Sequence, residues 1–447
     1  MSLTSPGFAL FLALALALFH LSPGRWRAGI LLLASLAFYG FWNPLQLALL
    51  LAVTAAVFAL TRAGARRGGE PARFRLAMAM VAGLLTLLAV FKCGVPALRL
   101  LGSQRGATAL LAPLGLSYYL FKMISYILDV YWETLEPVRE FIPFCLYVSF
   151  FPQMVSGPIQ RPGSFLGQLD RLRAPDPTLM QAGLRRILFG LFKKLVIADR
   201  LADTVAQVHG NPAAASRLDL LLVAYLFPLQ LYADFSGLTD IALGIGALFG
   251  LSGPENFNEP FRATDLADFW RRWHMSLTSW LTDYLFTPLR MRFRHLGTLG
   301  LALAIFLNML AVGVWHGPTW TYAAFGALNG LLMIGSALTL KPRLAFCKRH
   351  PTLGRIRAWT APLATFHLML VGWILFRAES FRSAMAYFKG LAAAPGFLRL
   401  DLDPGVLAWA GASVLILWAV RRAGQTGTWL QRRFASRAAR WTLYYAA

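Results

Sequence analysis

Apolar residues in this chain come in long runs separated by short basic blocks. Candidate spans cover residues 8–21, 28–42, 45–61, 76–91, 110–131, 187–206, 218–235, 238–251, 298–315, 318–338, 360–377 and 404–420. Runs of this length approach or cross the ~30 Å hydrocarbon layer of a bilayer. A helix satisfies its own backbone, so each run predicts a helix at membrane depth. Residues 141–155 (FIPFCLYVSFFPQMV) are briefer and end near Pro and Gly, which predicts a short or re-entrant piece. The first run, FALFLALALALFHL, lacks a basic segment before it and reads as a retained membrane helix, not a cleaved leader. The expected fold class is an all-α polytopic membrane protein with about 11–12 transmembrane helices. It forms one domain: N-terminal helices over 1–106, a motif-bearing core over 107–340 and C-terminal helices over 341–447.

Composition agrees. The 447 residues are 57% hydrophobic and 14% charged, and the mean hydropathy is +0.55. A soluble domain carries about 25% charged residues. The net charge of +23 would suggest nucleic acid in a soluble protein. Here the cations sit between apolar runs, at Arg25/Arg27, 62–75, 161–200, 262–295, 341–357 and 421–440. That is the positive-inside pattern, so membrane lipid is the expected partner and nucleic acid is not. Alternating the spans puts these blocks on one side if the N-terminus is outside and the C-terminus cytoplasmic. This parity requires 187–206 to dip without crossing; Lys92, Arg99 and Arg105 then fall outside. Cys93, Cys145 and Cys347 have neither disulfide nor zinc spacing, and no metal site is expected.

One basic block has its own periodicity. In TDLADFWRRWHMSLTSWLTDYLFTPL, Thr264 or Asp265 is the expected N-cap and Asp268 falls in the first turn. Trp270, Trp273, Leu277, Leu281 and Leu285 recur at helical steps. This predicts one amphipathic helix lying in the interface and ending at Pro288. His274 lies on its flank, near Arg271 and Arg272. It serves either as an interfacial histidine that orients or caps, or as a catalytic one. Arg271, Arg272 and Trp273 are candidates for holding a phosphate-bearing donor. Arg290, Arg292 and Arg294 equally suit anionic lipid.

The other conspicuous histidine is His316, in AVGVWHGPTW. Gly317 and Pro318 break the helix beside it, and Trp315 and Trp320 flank it. Irregular backbone at membrane depth is tolerated where it is buried in protein or lines a cavity. A titratable ring there is a functional-site hypothesis. A neutral imidazole suits a general base that takes a proton from an attacking hydroxyl. YADFSGLTDIALGIGALFG reads as a hydrophobic hairpin carrying Asp234, Ser236 and Asp240, its carboxylates paired with arginine or facing water, its glycines favouring close packing. FFPQMVSGPIQRP, with Gln153 and Pro158, reads as an irregular segment that lines a cavity or simply turns.

Taken in this order, FFPQMVSGPIQRP, YADFSGLTDIALGIG, DFWRRWHMSLTSWLTDYLFTPL and VGVWHGPTWTYAAFGALNG resemble the membrane-bound O-acyltransferase family, nearest its bacterial alginate O-acetyltransferase branch. The resemblance implies helices around a central tunnel in the bacterial inner membrane. It implies acyl transfer from a cytoplasmic thioester, acetyl-CoA or an acyl carrier protein, with no bound cofactor. The acceptor is a hydroxyl of an extracytoplasmic polysaccharide or a periplasmic partner transferase. The family's catalytic histidine falls on His316 and its second functional position on His274. Trp315, Asp234, Ser236, Gln153 and Pro158 become candidate tunnel-lining residues. The alternatives are D-alanyl or peptidoglycan acyl transfer by the same chemistry, or a secondary transporter. A transporter predicts an internal repeat, which the sequence lacks.

Overall fold

The computed structural model describes residues 2–66, 69–101, 113–169, 172, 176–393 and 399–433. Arg67, Arg105, Arg171, Arg173, the start of the 110–131 run and the basic residues beyond 433 lie outside the described residues. Among those described the chain is helical, with one isolated β-bridge, between Phe257 and Trp273. The helices are α1 (Pro6–Leu21), α2 (Arg27–Trp42), α3 (Pro44–Ala65), α4 (Glu70–Leu100), α5 (Leu116–Tyr131), α6 (Phe141–Ser149) and α7 (Phe151–Met154). They continue with α8 (Pro162–Leu169), α9 (Pro177–Leu191), α10 (Asp199–Gly210), α11 (Arg217–Leu248), α12 (Leu266–Arg272) and α13 (Met275–Leu281). The last are α14 (Thr287–Arg292), α15 (Gly297–His316), α16 (Trp320–Arg349), α17 (Pro351–Arg377), α18 (Phe381–Ala393) and α19 (Pro404–Arg433).

Among the described residues, six helices are long and apolar enough to cross a membrane: α3, α4 as far as Gly94, α11, α15 with the turn before it, α16 and α17. The apolar helices α1, α2 and α5 are shorter, at 16 residues each. Helix starts follow local chemistry. Asn43 Oδ1 accepts from the N–H groups of Leu45 (2.9 Å) and Gln46 (3.1 Å), with Pro44 in the first turn. Ser5 before Pro6 and Asp176 before Pro177 repeat that arrangement. The 141–155 piece is broken, as expected, between α6 and α7.

Two expectations change here. Residues 218–251 do not form a hairpin: α11 is one helix of 32 residues, running through Pro228. Nor is 187–206 a separate element. It belongs to a continuous helical stretch in which α9 (15 residues) passes through a π-helical turn at Phe192–Ala198 (7 residues) into α10 (12 residues). At 1.5 Å per residue, α9–α10 and α11 are each roughly 50 Å long. Gly183 meets the Gly244 carbonyl and Gly190 the Gly237 carbonyl, where an added Cβ would stand 2.7 and 2.6 Å from oxygen. The two rods therefore run antiparallel at backbone contact.

Ion pairs join the two rods. Lys193, only 4% exposed, ion-pairs with Asp240, which also accepts from Arg186 Nε at 2.8 Å. Lys194 pairs with Asp234 at 2.6 Å and Asp199 at 2.7 Å. The partners of the two aspartates thus include lysines as well as the expected arginine. Removing one member of a buried pair typically costs ~3–5 kcal/mol, because the other charge is left uncompensated. Asp240→Ala is expected to lower the thermal midpoint of detergent-purified protein strongly. A Lys193→Met/Asp240→Leu double variant is expected to recover part of that loss. A double variant no more stable than Asp240→Ala would refute the pairing.

Candidate active site

The expected interfacial helix is broken, and the break falls on His274. Asp265 caps α12, accepting from Asp268 N at 2.9 Å. The helix then stops at Arg272, and His274 adopts φ +45°, ψ +51° before α13 begins. A non-glycine residue there is strained. The preceding loop stitches the break: Asn258 N donates to Arg272 O (2.9 Å) and Met275 N to Asn256 O (2.9 Å). The fully buried Asn256 also accepts from Ser276 N through Oδ1 (3.2 Å) and donates to Thr239 Oγ1 on α11 (3.3 Å). The helix does not end at Pro288, which sits in the first turn of α14. The stripe Trp270, Trp273, Leu277 and Leu281 is buried in protein, not lipid. Trp270 Nε1 donates to Asn329 Oδ1 on α16 at 3.3 Å, and Trp280 stacks on Phe121 at 4.2 Å.

His316 is the last residue of α15. Its ring is half-buried among Trp315 (4.7 Å between centroids), Phe376 (4.8 Å), Tyr322 (6.0 Å) and Phe325 (6.4 Å). Gly317 is needed, because a Cβ there would stand 2.7 Å from the Tyr322 ring. Gly313 and Gly326 let α15 and α16 touch at backbone distance. Trp315 joins the two histidines: its indole lies 4.7 Å from the His316 ring and 6.0 Å from that of His274. His274 is 3% exposed, with Phe235 on its other side at 4.6 Å.

Three buried polar atoms gather here without a hydrogen-bond partner: His274 Nδ1, His274 Nε2 and Trp315 Nε1. Unsatisfied buried polar atoms are rare and each costs about 1–3 kcal/mol. Together they form a polar centre inside an aromatic wall, suited to a ligand's own polar groups. No cluster of three metal-ligating side chains occurs among the described residues. Lys92 Nζ lies over the Trp315 ring at 5.1 Å. A mainly apolar cleft of about 400 Å³ between α4, α5, α13 and α15 reaches Trp315 and Pro318, next to His316.

The other candidate residues fall in different places. Asp268 holds both neighbouring arginines, Arg272 at 3.0 Å and Arg271 at 3.3 Å. Burial raises the Asp268 pKa, but the Thr264 N–H and the Arg272 guanidinium outweigh it and hold the carboxyl below its usual value. Trp273 is packed against Phe269 and Phe257. Asp234 and Ser236 face the α9–α10 rod, where Ser236 Oγ accepts from Lys193 (2.9 Å) and Asp234 pairs with Lys194. Gln153 belongs to a buried network, accepting from Lys122 Nζ (2.8 Å) and donating to Gln160 (2.6 Å). Pro158 is buried beside Ile159, whose N–H donates to Ser276 Oγ at 3.0 Å. The sequence reading passed over Asn308, whose buried Oδ1 lacks a partner among the described residues. It lies two turns from Trp315 along α15, and the signal was a lone amide in an apolar run.

Two histidines joined through a tryptophan thus lie within a helical bundle of membrane-protein character, and comparison with known proteins names the family. A model of the membrane-bound O-acyltransferase family matches residues 138–362. The chain is 33% identical over 428 residues to the probable alginate O-acetylase AlgI of Azotobacter vinelandii, covering 91% of this chain and 81% of that one. It is 31% identical to a peptidoglycan O-acetyltransferase of Helicobacter pylori over 412 residues, 84% of this chain and 75% of that protein. A teichoic acid D-alanyltransferase of Streptococcus thermophilus is 30% identical over 292 residues, 61% of this chain and 69% of that one. The chain belongs to the membrane-bound O-acyltransferase family and is a multi-pass membrane O-acyltransferase.

The left-handed backbone at His274 gives a prediction. Asn tolerates this conformation, whereas a β-branched residue does not. His274→Asn is expected to keep the wild-type melting temperature, while His274→Val is expected to lose about 1–3 kcal/mol of stability. Equal melting of the two variants would contradict the strained break.

Proposed function

We propose that the protein transfers an acetyl group from a thioester on its basic, cytoplasmic face to a hydroxyl of an extracytoplasmic polysaccharide, or to a periplasmic transferase that completes the delivery. The observation that carries this reading is the pair of imidazoles joined through Trp315, one buried with both ring nitrogens unpartnered. His316 ends a 20-residue helix that starts beside Arg290, Arg292 and Arg294. Its ring is therefore roughly 30 Å along the helix from the basic face, about one hydrocarbon thickness.

His316 is the general base. It takes the proton of the incoming hydroxyl as that oxygen attacks the thioester carbonyl. The tetrahedral intermediate collapses with cleavage of the C–S bond, and the imidazolium returns its proton to the leaving thiolate. His274, across Trp315, offers a polar contact to the donor end. The aromatic wall keeps water from hydrolysing the thioester. The donor is acetyl-CoA or an acyl carrier protein, and the setting is the bacterial inner membrane with the N-terminus outside. The alginate O-acetylase relative supports a polysaccharide acceptor. The peptidoglycan and teichoic acid relatives support the same chemistry on a different polymer or acyl group.

General-base assistance typically contributes ~10²–10⁴ in rate. His316→Ala is expected to lower histidine-dependent acyl loss from a labelled thioester by at least that lower factor, and His274→Ala by less. Ester-linked acetate on cell-surface polysaccharide is expected to fall in the same order. Full acylation by His316→Ala would remove His316 from the chemistry. Uptake of label without any acyl transfer would favour a transporter.

A further inference from the structure

A second cavity, of about 320 Å³, opens at the basic face between the start of α12 and the basic ends of α16 and α17. It lies apart from the two histidines and has a different chemistry. Thr264, Ser336, Thr339, Thr360 and Thr365 line it, and Arg343 and Arg357 supply charge. The hydroxyls of Thr339, Thr360 and Thr365 donate to carbonyls of their own helices. Asp265 also lines it, but its carboxylate is engaged in capping α12.

The conformation of Arg343 is informative. Nη2 donates to Ser336 O at 2.6 Å and Ser336 Oγ at 3.2 Å, and Nε donates to Thr339 O at 3.2 Å. The guanidinium is thus drawn back along α16 by two turns, into the cavity. An arginine at a membrane surface ordinarily extends its head the other way, toward water. Among the described residues, Arg357 Nη1 donates to Cys347 Sγ at 3.8 Å. Neither guanidinium meets a carboxylate among the described residues. Arg186, Lys193, Lys194, Arg271 and Arg272 all do.

We propose that this cavity is a phosphate-binding site, with Arg343 and Arg357 as its cations and the Thr264 and Ser336 hydroxyls as further donors. Guanidinium forks match the geometry of phosphate oxygens. The site rests on the thioester-donor reading for its substrate: the phosphate is that of a phosphopantetheine arm. Position supports this source over a lipid headgroup. The cavity sits at the first turn of α12, and His274 follows the far end of that helix, roughly 10 Å along its axis. A phosphate held here leaves the arm's thioester end free to reach toward the histidines. Arg271 and Arg272, the sequence-level candidates for this role, are both tied to Asp268.

The test uses full-length protein in nanodiscs and two donors that differ only in the phosphate: S-acetyl-4′-phosphopantetheine and S-acetyl-pantetheine. Arg343→Gln and Arg357→Gln are each expected to raise KM for the phosphorylated donor about tenfold or more and to leave kinetics with the phosphate-free donor unchanged. Titration with unacylated 4′-phosphopantetheine is expected to weaken by the same factor, a readout that needs no turnover. Melting temperatures identify any variant that has simply failed to fold. Equal effects on both donors, or none on either, would overturn the proposal. Unchanged phosphopantetheine binding, together with loss of co-purifying phosphatidylglycerol in native mass spectrometry, would keep the phosphate site and reassign it to a lipid. If wild-type protein binds phosphopantetheine but transfers no acyl group, the transfer reading fails and this site stands.

Discussion

The break at His274 is the constraint on which the site depends. Interrupting a helix inside a membrane protein frees backbone groups that water cannot reach. Here Asn256 and Asn258 take them up, pairing across Phe257 and Trp273 like a fragment of sheet. Only with that repair can the chain hold His274 in a left-handed conformation and turn its imidazole between Phe235 and Trp315. Asn256 hangs in turn from Thr239 on α11, the helix clasped against α9–α10 by glycine contacts and buried ion pairs. The rigidity of that clasp is passed to the site through one asparagine.

Charges and aromatics divide the interior between them. Along α9–α11, Arg186, Lys193 and Lys194 are neutralised by aspartates, as buried charges require. The ring contacts of His316 among the described residues are all aromatic. Surroundings of this kind exclude water and disfavour charge. Lys92, over Trp315, is the cation nearest this wall in ring contact. It also lines the apolar cleft.

Much of the fold was legible because the bilayer imposes strong rules. Apolar runs became helices, Asp265 capped a helix as expected, and the short 141–155 piece was broken. The hairpin read into 218–251 was not there, because helix-breaking residues in a membrane helix are tolerated when neighbours cover the backbone; α9 does so for Gly237 and Gly244. The stripe of Trp270, Trp273, Leu277 and Leu281 was correctly apolar, but periodicity says only that a face is covered. Protein covers it here, through Asn329, Phe121 and Phe257. Asn308 escaped notice because a single amide does not disturb an apolar run.

By itself, the sequence determined that this chain is a polytopic helical membrane protein, and its ordered motifs already pointed to acyl transfer centred on His316. Hydropathy, caps and the Trp–His–Gly–Pro step are local properties, readable one segment at a time. Tertiary structure alone decided that Trp315 joins His274 to His316, that α9–α10 packs antiparallel beside α11, and that Asp268 occupies Arg271 and Arg272 while Arg343 and Arg357 meet no acid among the described residues. Those outcomes depend on which side chains from distant segments share the same few ångströms, and pairing at that range is set by packing rather than by any pattern along the chain.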